Sequence, residues 1–399
     1  MLSNVAVIGA GVSGLTAGYA LRKNGIEVDV FERSESIKEF GAGITLSKNA
    51  TILLQEIGLM GSLSSVSHNP MDSYIRDYKK AKVIQSKTFD KDFITLDRRD
   101  LVATLATRFE EIGGSINFDC EVKLVDPIVG EISISNQEKK TYDLILICDG
   151  IQSSLRSSYF DTQQPHFTNY VAWRGMTTIE NLPKYEGSEK VNVYYGPGGH
   201  CVHYPTGREN LINFIAIEYN EIWSEESWKT EGSKSEFLNC FKGWNEDLLS
   251  MFNSAQQIYK WGIFERALPK TLYRDKCVLL GDAAHPMVPF LGQGGCLAIE
   301  DAYCLISLLM GDKDINKALR QYDKLRNSRV SWIQKRSKFQ GIFNHVSNPL
   351  LVTIRNFITK LIMNSSVTKL HSYNLITVSY THLRAHETRG NLVCRLLLE

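Results

Sequence analysis

Gly9-Ala10-Gly11-Val12-Ser13-Gly14 limits what this chain can fold into more than any other run, because its neighbours complete a pattern that needs a strand before it and a helix after it. Val5 to Ile8 reads as a buried strand, the residues up to Lys23 as a helix, and a second strand ends at Glu32. The three glycines serve a tight turn, close approach of a pyrophosphate and packing of helix on strand, and a Cβ would obstruct each. Glu32 lies eighteen residues past Gly14, where an acid can hold a ribose hydroxyl. This order predicts a dinucleotide site and a parallel sheet flanked by helices. It does not separate FAD from NAD.

Two further segments narrow the choice. Asp143 to Arg156, DLILICDGIQSSLR, is an apolar strand ending in Asp149-Gly150 and a Ser/Arg turn. Val278 to Asp301, VLLGDAAHPMVPFLGQGGCLAIED, is a strand opening at Gly281-Asp282, followed by a proline-stiffened loop and glycines 292, 294 and 295 at a helix start. Amides and the positive end of that helix would face a ligand there, and Asp282 could accept hydrogen bonds from sugar-like hydroxyls.

With these three elements in this order over residues 9 to 295, the chain resembles the class A flavoprotein monooxygenases of the p-hydroxybenzoate hydroxylase fold, and YVAWRG, YKWGIFER and HPMVPFLGQGG resemble salicylate hydroxylase-like members. The resemblance implies FAD as cofactor, NADH or NADPH as transient co-substrate, O2, and hydroxylation of a small, phenolic aromatic through a flavin C4a-hydroperoxide. It implies a cofactor site made of Gly9, Gly11, Ser13, Gly14, Glu32, Arg33, Arg98, Val122, Asp149, Gly150, Asp282, Pro289, Gly292, Gly294 and Gly295. Asp149-Gly150 would serve both FAD and the nicotinamide, and Asp282 the ribityl chain. Arg98 would approach the phosphate and ribityl region; from the residues alone it reads as a solvated arginine at a helix start.

The expected fold class is α/β: a Rossmann-type FAD-binding domain (residues 1–70, 99–165 and 270–312), an inserted, mostly antiparallel sheet as substrate domain (71–98 and 166–269), and C-terminal helices (313–377). Helices are expected at Ser47 to Ile57 and from a cap near Asp97. Runs such as VNVYY and LINFIAI predict a sheet with one covered face. From Val378 onward, VSYTHLRAHET reads as the translation of a sequencing adaptor, so residues 378–399 are set aside as a non-native tail.

Composition excludes several classes. The eight cysteines form no CxxC pair, which argues against a metal site or a disulfide framework. No apolar run reaches membrane-spanning length and the chain starts on its first strand, so a cytoplasmic location is expected. Lys313 to Lys369 holds twelve basic residues against two acids. That segment reads as a solvated face, with membrane contact the less favoured reading. Nothing resembles a nucleic-acid module, and the oligomeric state is left open.

The catalytic candidates are His200 and Tyr204, four apart in what reads as a strand and therefore on one face, with His203 on the other. The 6-hydroxynicotinate 3-monooxygenases look similar here, with a His and a Tyr at this spacing in the substrate pocket, although Phe290 stands where those enzymes carry a histidine. Holding or taking a phenol proton and a purely structural role both fit the pair. Arg174 and Arg208 fit either a substrate carboxylate or an interdomain contact. The alternatives are a flavin-dependent reductase or epoxidase of an isoprenoid or quinone, and a non-catalytic flavin scaffold.

Overall fold

Parallel strands of almost uninterrupted apolar residues must be covered on both faces, and that requirement sets the first layer. In the computed structural model, which describes residues 2–37, 42–134, 138–182, 190–208, 210–223 and 230–377, a six-stranded sheet runs in the order Tyr273–Arg274, Cys277–Leu279, Leu144–Ile147, Asn4–Ile8, Glu27–Phe31, Ser115–Asn117. All neighbours in it are parallel except the first pair. The helix Val12–Lys23 follows the glycine turn, and Gly294–Gly311 packs against it. Gly294–Gly311 is long and apolar enough to span a membrane, but it is mostly buried inside the protein, as a core helix is.

The second layer is an eight-stranded sheet in the order Thr230–Glu231, Ile258–Glu265, His166–Thr178, Leu211–Tyr219, Gly199–Pro205, Lys190–Gly196, Asp72–Asp77, Val83–Thr88. It is antiparallel except where Lys190–Gly196 joins Asp72–Asp77. Two expectations need correction here. The sheet is covered on both faces: Lys234–Cys240 and Glu246–Ser254 are helices whose Phe237, Leu248, Met251 and Phe252 pack with Trp173, Tyr194 and Phe214. Residues 94–97, assigned to the substrate layer, instead pair with Gly43–Leu46 and Ser67–His68, because Ile94 and Leu96 are buried in the cofactor-side core.

Asp97 accepts from the Arg99 amide at 2.8 Å and caps the helix Arg98–Glu111, while Ser47 precedes Lys48–Glu56. The chain then closes with Ile315–Asn344 and Pro349–His371. The tail at 378–399 lies outside the described residues.

Candidate active site

Three cavities form one trough between the layers. The first, about 330 Å³, is lined by Gly9, Gly11, Glu32, Arg33, Arg98, Val122, Asp149 and Gly150 among others. The second, about 200 Å³, shares Arg98 and Gln152 with it and adds Asp282, Arg174 and Met287. The third, about 240 Å³, shares Pro289 and Ile215 with the second and contains Gly292, His200 and Tyr204. Gly9 and Gly292, 283 positions apart in the chain, thus line adjoining cavities linked by shared residues.

The first cavity is shaped for a dinucleotide by backbone geometry. Gly9 has φ +105°, and a Cβ there would sit 2.4 Å from the Cys148 carbonyl oxygen. A Cβ at Gly11 or Gly150 would meet no protein atom within 4 Å, so it would project into the cavity these residues line. Glu32 accepts from the Ala10 amide at 3.0 Å and the Ser34 amide at 3.0 Å, which holds its carboxylate at the cavity edge. Oδ1 of Asp149 is buried with no donor among the described residues. Burial raises that carboxyl to about 6 even though Ser153 and Arg33 favour its charged form. An orphaned buried oxygen and two glycines open to the cavity fit FAD. Ser13 and Gly14 do not line the space: Ser13 lies under Gly281, and a Cβ at Gly14 would collide with the Gly9 carbonyl oxygen at 2.0 Å.

The loop after Cys277–Leu279 rests on buried charge. Gly281 adopts φ +58° and donates its amide to Asp301 at 2.8 Å, leaving Asp282 exposed toward the second cavity. Asp301 also holds His285 and receives Arg326 Nε at 2.6 Å. Arg326 reaches Glu300 at 2.7 Å, and Arg329 reaches it at 2.9 Å. Burial alone would raise Glu300 and Asp301. Arg326 and Arg329 outweigh it at Glu300, and His285 and Arg326 outweigh it at Asp301, so both stay below the ordinary carboxyl range. Asn49 ties Glu300 (2.7 Å) to Gln293 (3.1 Å) at the cap of Gly294–Gly311. Gly294 and Gly295 open that helix but do not line the cavities, and a Cβ at Gly295 would strike Ile44 at 2.6 Å. Single motifs gave no sign of this floor, since its partners come from four separate elements.

In the third cavity the structure brings His200 and Tyr204 to one wall, while His203 faces the other way and stacks on Tyr194. Phe290 packs edge-on against His200 and Tyr170. His345, at the end of Ile315–Asn344, places Nε2 2.6 Å from Nδ1 of His200. Burial, and then His345, pushes the His200 imidazole well below its ordinary value; burial, and then Arg355, pushes His345 down to about 4. Of the two arginines weighed for a substrate acid, Arg208 pairs with Asp100 at 2.8 Å, joining the layers. Arg174 lies over Trp261 and Tyr259 and faces the second cavity. Lys87 is the single Lys or Arg lining the third cavity among the described residues, and no Asp or Glu lines it. Sequence reasoning missed Lys87 and His345.

Comparison with known proteins agrees with this geometry. Residues 3–336 match the family described as FAD binding domain. A 3-amino-4-hydroxybenzoate 2-monooxygenase of Streptomyces platensis is 30% identical over 346 residues, covering 84% of this chain and 87% of that protein. The 6-hydroxynicotinate 3-monooxygenase of Bordetella bronchiseptica is 27% identical, covering 83% and 89%. Among solved structures, a salicylate hydroxylase substrate complex superposes with TM-score 0.82 at 23% identity, covering 95% of this chain and 97% of that one.

Proposed function

Because the chain belongs to the FAD binding domain family, we propose that the trough is the active site of an FAD-dependent monooxygenase that hydroxylates a small aromatic compound, with the cofactor in the first two cavities and the substrate in the third. The observation that carries this reading is the shared boundary: Pro289 and Ile215 line both the second and third cavities, so a flavin ring reaching from one would meet a ligand in the other. Bound FAD, reduced by NADH or NADPH, supplies the oxygen-activating chemistry.

The chain's residues hold, orient and exclude. The glycine turn and the start of Val12–Lys23 would take the pyrophosphate, Glu32 the adenosine ribose, and Asp282 the ribityl chain. The start of Gly294–Gly311, whose cap Gln293 lines the third cavity, would supply positive helix-end potential to the flavin. Met287, Pro289, Phe290 and Leu291 form an apolar rim that keeps water from the reacting atoms. His200 and Tyr204, which line the third cavity, would meet the substrate's oxygen.

The aromatic substrate is read as an acid. The relatives named above act on 3-amino-4-hydroxybenzoate and 6-hydroxynicotinate, and a lining with one ammonium and no carboxylate favours an anion. Lys87 and Ser73 are cross-strand partners, and Ser73 pairs in turn with Val191. Tyr204 packs with Val191, so the ring would lie over this row with its acid at Lys87 and its hydroxyl toward His200.

The test is a screen of hydroxylated aromatic acids, each beside the phenol lacking the acid, for stimulated NAD(P)H oxidation with peroxide measured in parallel. An acid that yields hydroxylated product with little peroxide is expected, and Lys87→Met should raise its KM roughly tenfold or more with little effect on a matched phenol. Acids and phenols performing equally would remove the carboxylate subsite.

The rival substrate, a quinone or isoprenoid, has one observation in its favour: Phe339, Ile342, Leu350, Phe357 and Leu361 are exposed on the last two helices. Binding to anionic liposomes, with turnover of a quinone and none of an aromatic acid, would favour it.

A further inference from the structure

We propose that His345 is a positioning residue that fixes the tautomer of His200, so that His200 meets the substrate with an Nε2–H donor and holds the aromatic oxygen as the oxyanion formed when the hydroxyl loses its proton to solvent. This rests on the functional reading above and adds the protonation state of the ligand to it.

Two imidazole nitrogens 2.6 Å apart share one proton, since two facing protons would clash and two facing lone pairs would repel. Both rings are buried, and among the described residues no carboxylate acts on either to support an imidazolium: His345 packs on Tyr170, Phe290 and His200, and Arg355 is the charged group that acts on it. The pair is therefore neutral, with one proton between the rings.

The choice between the two neutral arrangements turns on the far nitrogen of His345. Its Nδ1 is buried and has no hydrogen-bond partner among the described residues. If His200 donated from Nδ1, the neutral His345 would carry its proton on Nδ1, an N–H orphaned among aromatic rings. If His345 donates from Nε2, its Nδ1 is a bare acceptor instead. Orphaned buried N–H groups are the rarer of the two, so His345 donates, His200 accepts at Nδ1, and the His200 proton resides on Nε2.

The backbone holds His345 in that role. Its carbonyl oxygen accepts from the Gly198 amide at 3.1 Å, and its own amide donates to Gly341 at 3.2 Å. Arg355 Nη1 donates to the preceding Asn344 carbonyl at 3.1 Å. These bonds fix the backbone that carries the ring, and Tyr170, Phe290 and His200 pack around the ring itself. With Nδ1 engaged, Nε2 is the nitrogen His200 has left for a ligand in the cavity it lines, and a nitrogen that already bears a proton donates to an oxyanion and cannot take a proton from a phenol.

The test uses the FAD-loaded protein with 15N-histidine, each His200 resonance identified by its loss in His200→Gln. Wild type should show a protonated Nε2 and an unprotonated Nδ1 at His200. In His345→Glu, whose carboxylate only accepts, Nδ1 of His200 should become protonated; in His345→Gln, whose amide can donate, the wild-type pattern should return. A protonated Nδ1 in the wild type overturns the proposal, and that spectrum decides even if the variants do not fold. The measurement needs no turnover, so failure to find a substrate would count against the functional reading and not against the tautomer.

Discussion

The two ends of the trough are built in opposite ways. The cofactor end is backbone: left-handed glycines, helix starts and a sealed floor of Glu300, Asp301, Arg326 and Arg329. The proposed substrate end is side chains, drawn largely from several strands of one sheet and from the last two helices, with one Lys and no acid among the described residues lining it. A ligand that does not change is met by a surface with few degrees of freedom, while the part that sets specificity is distributed over replaceable side chains.

The largest break in this contrast should come from the floor. Arg326→Met leaves Glu300 without one of its two arginines and Asp301 with His285 and the Gly281 amide but no arginine, and loss of a partner from a buried pair costs about 3–5 kcal/mol. Urea unfolding should show that loss together with reduced flavin content, since Gly281 loses a firm anchor.

The glycine turn allows a finer division of shape from fold. Gly9→Ala must collide with the Cys148 carbonyl at a positive φ, and about 1–3 kcal/mol of stability should go with it. Gly11→Ala meets nothing in the protein, so the apoprotein should unfold within about 0.5 kcal/mol of wild type while flavin affinity drops at least roughly tenfold. Fluorescence titration with FAD checks the second half, and an unchanged affinity would move the pyrophosphate away from Gly11.

Asp149 gives an effect with a sign. Its carboxyl is raised from 3.8 to about 6 in the fold, so the folded state binds the proton more tightly, and the apoprotein loses stability as pH rises from about 4 to 6. Asp149→Asn should abolish that decline and leave the apoprotein more stable near neutral pH by roughly 1–3 kcal/mol. Parallel unfolding curves for the two proteins across that range would contradict it.

The same contrast explains what could be read in the sequence. Gly9, Glu32, Asp149 and Asp282 stand out because each is fixed by its own strand and turn within a few residues, and local backbone demands leave a local signature. His200 and Tyr204 could be paired because strand periodicity puts them on one face. His345 could not, being 145 residues from its partner and delivered by a helix end whose docking depends on the whole fold. Lys87 was hidden in a polar strand, and its meaning comes only from a cavity with no other Lys or Arg and no acid among the residues lining it. The covering helices Lys234–Cys240 and Glu246–Ser254 are masked in the sequence by the alternating runs before them, which read as a half-solvated sheet.

The division of labour is tested most directly by His200→Asn in the FAD-loaded protein, with flavin content, substrate-free flavin reduction by NAD(P)H and hydroxylated product measured on one preparation. The account predicts full flavin and reduction within about twofold of wild type, with product formation lower by about 10²–10⁴-fold. Loss of flavin in step with product, or product at the wild-type rate, would contradict it.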